Sequence, residues 1–449
     1  MGNTFPLEAY ILQKEQTGLE KPLYQPLNGR RGGVRKYDYP QTVVIHNPEI
    51  FYGFSKPEIL QRSREAALVH GVSTVYWGML TENGIQKTPK IHYTRNRDLE
   101  MLGLEVPEIV ASYYSLVEGD KVEIDLDKDN NSIYFSSVNG CNRPEIFRKW
   151  PRDLSGFQSD YPKKPLPVEK YGDFELRVIS LLSPDGLGEG KWLIAPGGAG
   201  KTWILVKYLN ACLRLTKEIK NLYIIMVYVG DRPEDAAQYI DVIKSYVGAP
   251  AEIYSAAWNT KPDTQVDTVR FAMKRAQRMT AIGYHVVVLT DSISRTVAAH
   301  TASQYVDKNS GMIGGGIYRN SLTDMIALQY GTHGSYGEDR SLSIIGTVLA
   351  AAETKKTSEA AVDQETSDSS TTSICRLLKI PTLPRPWISV NEGDTNTRIP
   401  EGKDFRSPDQ KSEMEKVRTL MRTGLGSRSS EEAHKILLQY ARDNPFPMY

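Results

Sequence analysis

The hydrophobic pattern of the chain changes character near residue 171. From about 171 to 400, apolar runs of strand length alternate with stretches of helical spacing. The runs are Trp192-Leu193-Ile194, 222–229, 285–290, 342–348 and 374–380. Continuous apolar strands separated by helices predict a buried, mostly parallel sheet, and so an α/β core. Upstream the signals are shorter. Residues 56–70 have helical spacing with Pro57 in the first turn. Strand-like pieces follow at 73–80, 121–125 and 132–135, with turn residues at 128–131 suited to a hairpin. Residues 104–110 lead into a helical turn, and Glu118-Gly119-Asp120 makes another. This order fits a small β-barrel of the oligonucleotide-binding type, and it fits a generic small β-domain equally well.

Residues 1–45 are rich in Pro, Gly, Tyr and Gln and have no clear period, so an extended or partly disordered arm is expected. Residues 146–170 are Pro-rich and charged, as in a linker. The stretch 353–373 carries Ser, Thr, Glu and Asp with few large apolar residues, which predicts a long mobile loop. Beyond 407 the spacing is helical, with Ser407-Pro408-Asp409-Gln410 opening one helix and Ser429-Ser430-Glu431-Glu432 a second. The expected organisation is therefore an arm (1–45), a small N-terminal domain (46–145), a linker (146–170), an α/β domain (171–403) and a C-terminal helical segment (404–449).

Composition narrows the class. The 449 residues exceed one ordinary core, and 40% hydrophobic with 24% charged residues is the balance of a globular protein. The formal net charge of +1 means that any nucleic-acid contact must come from local basic patches. One such patch is 29–36, where Arg30, Arg31, Arg35 and Lys36 sit beside tyrosines. It could track a phosphate backbone or serve as a solvated or subunit-contact loop. Three widely spaced cysteines argue against a disulfide framework or a zinc site. The N-terminus lacks a signal-peptide pattern and no apolar run approaches membrane-spanning length, so a cytoplasmic protein with no membrane contact is expected.

The chemistry concentrates at Ala195-Pro196-Gly197-Gly198-Ala199-Gly200-Lys201-Thr202, between a strand and a helix beginning Trp203-Ile204-Leu205. Strand, glycine-rich turn, Gly-Lys-Thr and helix form the order of a phosphate-binding loop. Small residues let backbone N–H groups wrap a polyphosphate, and the helix N-terminus adds partial positive charge. Lys201 would reach the β- and γ-phosphates of ATP, and the Thr202 hydroxyl would ligate Mg²⁺. The usual first glycine is Ala195. Asp291, closing the 285–290 strand, would join the Mg²⁺ shell through water. Asp231, closing the 222–229 strand, is placed to act as the carboxylate base for water; the alternative is an Asp-initiated turn before a helix.

Taken together, Leu181-Leu182-Ser183-Pro184, the Ala-Pro-x-x-Ala-Gly-Lys-Thr loop, Asp231-Arg232-Pro233-Glu234 and Asp291-Ser292-Ile293-Ser294-Arg295 resemble the bacterial transcription termination factor Rho family. The resemblance extends through Ser310-Gly311, 334–349 and Thr395-Asn396-Thr397-Arg398, and spans roughly 72–440. It implies a RecA-like P-loop ATPase preceded by an oligonucleotide-binding or cold-shock-like domain. It also implies a hexameric homo-oligomer with ATP between subunits, acting as a helicase on single-stranded RNA, with RNA polymerase as a further partner. By the same resemblance, Asp231 takes the place of the catalytic glutamate, and Arg295 that of the arginine ending the Asp-Ser motif. Arg398 falls on the finger that reaches a neighbouring subunit's γ-phosphate, Arg385 on a second interface arginine, and Trp387 on the aromatic beside adenine. The chain departs from the family at Gly198, where a lysine is usual, and at 82–86, where an aromatic Gly-Phe-Gly-Phe stretch is usual. The expected pore loop, 308–316, has Gly311 and Met312 around the usual lysine, with Lys308 as a substitute. A second pore loop would lie within 353–373, where Lys355 and Lys356 are the available lysines. Two other functions share the motifs: a divergent ring motor acting on DNA or a protein cargo, and a nucleotide-bound ring that regulates a polymerase without unwinding.

Overall fold

The computed structural model describes residues 115–127, 132–313, 316–350, 372–379, 387–389, 394–425 and 430–443, with Val362 and short strands before residue 115. The chain divides into two compact units, Met1–Asp153 and Leu154–Tyr449.

In the first unit the described strands are β1 (Gln25–Pro26), β2 (Thr42–Val44), β3 (Ser63–Ser73), β4 (Leu80–Thr81), β5 (Gly84–Ile85), β6 (Lys90–Asn96), β7 (Met101–Pro107), β8 (Lys121–Asp127) and β9 (Ser132–Val138). Seven of them form one sheet in the order β1-β2-β6-β7-β3-β8-β9. The helix expected over 56–70 is replaced, from Ser63 on, by β3, and residues 101–107 are strand. β3 lies between β7, which it meets in parallel, and β8, which it meets antiparallel. With both edges paired, tertiary hydrogen bonding overrides the helical propensity of Glu65-Ala66-Ala67-Leu68. β8 and β9 pair antiparallel as the hairpin pattern predicted. The basic patch 29–36 and the stretch 82–83 with 86 lie outside the described residues.

The second unit is built on a sheet in the order β12-β11-β13-β17-β10-β18-β19. Its strands are β10 (Gly190–Ala195), β11 (Leu222–Val229), β12 (Ala251–Ala256), β13 (His285–Asp291), β17 (Ser341–Leu349), β18 (Ser373–Leu378) and β19 (Trp387–Ile388). All pair in parallel except β19, which meets β18 antiparallel. Two short antiparallel additions are β16 (Gly334–Ser335) on β17 and β20 (Thr395–Thr397) on β18. A separate hairpin joins β14 (Met312–Ile313) to β15 (Ile317–Tyr318). The main helices are α1 (Phe174–Leu182), α2 (Lys201–Leu215), α3 (Pro233–Ser245), α4 (Pro262–Ala281), α5 (Ile293–Ala302), α6 (Pro408–Leu425) and α7 (Ser430–Asp443). Every residue of β10 and β13 is buried, as strands covered on both faces by helices require. The result is an α/β, RecA-like core with a mostly parallel sheet.

Part of the expected linker belongs to this unit. Asp160 exchanges two backbone hydrogen bonds with Ser335, Pro165 bridges to Gly186, and Leu166 and Val168 are buried. Its prolines keep it from forming a long helix, leaving only a short 3-10 turn at Val168–Lys170, and its backbone finds partners along the unit. The C-terminal helices also join the core through Val417 and Leu437. Among the described residues no helix is long and apolar enough to cross a membrane.

Candidate functional site

β10, β11 and β13 run parallel, so their carboxyl ends lie together along one rim of the sheet. In an open α/β sheet this rim, where loops leave the strands, is where ligands bind. A cleft of about 810 Å³ opens there, lined by Gly197, Gly198, Gly200, Lys201, Thr202 and Trp203 from the loop and α2. Asp231 and Arg232 enter from the end of β11, and Asp291, Ser292 and Arg295 from the end of β13 and the start of α5. The structure thus brings together the predicted loop, Asp231, Asp291 and Arg295.

The loop has the geometry of a phosphate cradle. Gly200, the residue before α2, has φ +93°, a left-handed conformation that glycine adopts without cost. That turn swings the chain from β10 into α2 and leaves the first N–H groups of a 15-residue helix facing the cleft. The Lys201 ammonium folds under the loop and donates to the carbonyls of Ala195, at 2.7 Å, and Pro196, at 3.1 Å. Burial pushes its pKa down to about 8, against the opposing pull of Asp291 and Asp231. A partly buried cation whose direct hydrogen bonds go only to carbonyls is poised for an anionic partner, and a bound polyphosphate fits that need.

Asp291 is buried and accepts three hydrogen bonds. Thr202 Oγ1 donates from 3.1 Å and Tyr239 from 2.9 Å to Oδ2, and Thr347 Oγ1 donates from 2.6 Å to Oδ1. This clamp fixes the carboxylate beside the Thr202 hydroxyl. Mg²⁺ takes one or two protein oxygens, keeps several waters and uses substrate phosphates for the rest. Thr202 and Asp291 are oxygen donors of that kind, so the residues present fit the ion. Tyr239 and Thr347 carry no motif and were not foreseen; the signal for Thr347 is its place on the strand next to β13.

Asp231 follows Gly230, where an added Cβ would come within 2.9 Å of the Arg295 Cβ. Glycine there lets α5 approach and sets Arg295 Nε 3.9 Å from Asp231 Oδ2. Burial lifts the Asp231 carboxyl above the ordinary aspartate value, while the Arg295 guanidinium pulls it back. The group is half-exposed, so water can reach it. Trp203 also lines the cleft, with the Lys207 ammonium 3.0 Å from its ring centroid, leaving the opposite ring face for another partner.

The other predicted residues lie elsewhere. Arg398 follows β20, which pairs antiparallel with β18, and its N–H donates to Thr372 O, just before β18 begins. Thr372 in turn donates to Gly190 O at the start of β10. Arg398 therefore sits at the sheet rim opposite the loop. The five residue steps from Gly190 to Ala195 put about 16 Å between the two rims, more than an arginine side chain spans. Arg385 lies outside the described residues, as does most of 353–373 with Lys355 and Lys356; Trp387 is placed in β19 by its backbone alone. The expected pore loop takes the form of the β14–β15 hairpin, with Lys308 and Met312 exposed.

Sequence similarity to a known family covers the residues around this cleft. Residues 175–366 match the ATP synthase alpha/beta family, nucleotide-binding domain. The transcription termination factor Rho of Aquifex aeolicus is 26% identical over 319 residues, covering 66% of this chain and 67% of that protein. Rho of Streptomyces lividans is 28% identical over 233 residues (52% and 30%), and Rho of Mycobacterium bovis 26% over 339 (72% and 52%). The chain spans about a third to a half of the length of these last two. Among solved structures, an ATPase from the type III secretion system of pathogenic bacteria matches with TM-score 0.47 and 14% identity, over 61% of this chain and 73% of that one. The chain is thus similar in sequence, at 26–28% identity, to these transcription termination factors.

Proposed function

We propose that this protein is a ring-forming ATPase that couples ATP hydrolysis to movement on single-stranded RNA. One observation carries the ring: Lys201 and Arg398 lie on opposite rims of the same sheet. A subunit cannot bring its own Arg398 to its own loop, whereas a neighbour packed head-to-tail can. Such a heterologous contact repeats around a closed ring.

Within the site, the loop N–H groups and Lys201 bind and orient the triphosphate. A Mg²⁺ ion held by the Thr202 hydroxyl and, through water, by Asp291 would supply charge neutralisation on the phosphate oxygens. Asp231 accepts a proton from the attacking water, with Arg295 keeping its carboxylate ionised. The neighbour's Arg398 faces the charge that develops on the transferred phosphoryl group, where a permanently charged, forked guanidinium suits phosphate oxygens.

The termination factors among its relatives support RNA as the track. The test is ATPase rate with single-stranded RNA or DNA at two salt concentrations. Stimulation by RNA that weakens with salt is the expected result. Stimulation by DNA alone would move the reading to a DNA motor. Turnover near zero despite ATP binding would move it to a ring that regulates by binding.

A further inference from the structure

We infer that Lys379, the residue directly after β18, is a second lysine ligand of the bound nucleotide's phosphates. This rests on the reading of the cleft as an ATP site.

β18 is the strand next to β10 and runs parallel to it, with Ile194 opposite Arg376. Chain leaving the end of β18 therefore emerges beside the phosphate-binding loop. Lys379 is exposed there, and its ammonium comes within 3.5 Å of where a side chain on Gly198 would begin. Gly198 itself lines the cleft. Having no side chain, it leaves the crest of the loop open, and the Lys379 amine occupies that space. An amine at the crest lies across the loop from Lys201, whose own ammonium is tucked beneath it against the Ala195 and Pro196 carbonyls.

The two lysines thus meet one loop, Lys201 from its own end at the start of α2 and Lys379 from the end of β18. Lys379 is the solvent-facing member. A bound triphosphate brings several negative charges to a surface where Asp231 and Asp291 already stand. Cations on both sides of the loop balance that load better than Lys201 and Arg295 alone. A flexible ammonium with three donors can also follow the phosphate chain as it is cleaved.

Equilibrium binding of a fluorescent non-hydrolysable ATP analogue, and of ADP, to the full chain tests this, with Lys201→Ala as reference. Lys379→Ala should weaken binding of one or both nucleotides by about 10-fold or more, the size of one charge-assisted hydrogen bond. Lys379→Arg should restore most of the loss, and thermal unfolding without nucleotide should be unchanged across the set. If the wild type binds neither nucleotide, the ATP-site reading itself fails. If the wild type binds, Lys201→Ala does not, and Lys379→Ala binds like wild type, Lys379 is only a surface residue and the inference is overturned. A loss in Lys379→Ala that Lys379→Arg does not recover would equally overturn it, since charge would not be the cause.

Discussion

Lys201 and Asp231 face the same cleft with perturbed pKa values of opposite consequence. For Lys201 the charged form binds phosphate, and its pKa near 8 lies below the ordinary lysine value. Below pH 8 the free site already holds the ammonium; above it, nucleotide binding must take up a proton. Affinity for ATP should therefore fall as pH rises past about 8, by up to about tenfold per unit. Titration calorimetry from pH 7 to 9.5 checks this, and a flat profile would mean that the ammonium is not the ligand. For Asp231 the working form is the carboxylate, and burial raises its pKa. Hydrolysis should lose rate on the acid side sooner than an ordinary aspartate would dictate. Asp231→Asn keeps the shape but cannot accept a proton. It should bind ATP normally and hydrolyse ~10²–10⁴-fold more slowly, the usual size of a general-base effect. Normal turnover in that variant would place the base elsewhere.

At the scale of elements, local signals worked where the chain decides its own structure. Ser407 and Gln410 cap α6 reciprocally: Gln410 N–H donates to Ser407 Oγ at 3.2 Å, and Ser407 N–H to the Gln410 side chain at 2.8 Å. The Ser-Pro-Asp-Gln motif announced this capping box. α6 carries Val417 into the core, so Ser407→Ala should cost about 1 kcal/mol by urea unfolding, the usual worth of such a cap. The parallel strands were legible for a similar reason, because burial on both faces leaves an uninterrupted apolar run. β12 left no such run. It is a half-buried edge strand carrying Glu252, whose charge is met by Arg275 at 3.0 Å, and that partner is 23 residues away in sequence. β3 misled for the same physical reason. Its Ala-rich stretch reads as helix until two neighbouring strands claim its backbone. The loop, Asp231 and Asp291 were likewise written in short motifs. Tyr239 and Thr347 meet Asp291, and Lys379 meets the loop at Gly198, only through tertiary packing: α3 brings in Tyr239, β17 beside β13 brings in Thr347, and β18 beside β10 brings in Lys379, and no local pattern encodes these contacts.

At the scale of the molecule, the separation of Lys201 from Arg398 decides whether the active unit is one chain or several. Both residues are held by the same sheet, Lys201 after β10 and Arg398 after β20, and the sheet is rigid and buried. No loop motion within a subunit can carry Arg398 across the length of β10. On the proposed reading each complete site is shared, and its two halves can be supplied by different chains. Arg398→Ala alone should bind ATP, since the loop is intact, and hydrolyse it poorly. Lys201→Ala alone should do neither, because it loses the ammonium that holds the phosphates. Mixed assemblies place some intact loops opposite intact arginines, so combining the two inactive variants should restore part of the wild-type rate. Recovery should peak at intermediate ratios and require conditions under which subunits exchange. Hydrolysis measured across mixing ratios, with assembly followed by light scattering, checks this. If the variants co-assemble and no ratio recovers activity, Arg398 does not act across the interface. If Arg398→Ala alone hydrolyses at the wild-type rate, the site is complete within one subunit and the ring is not needed for chemistry.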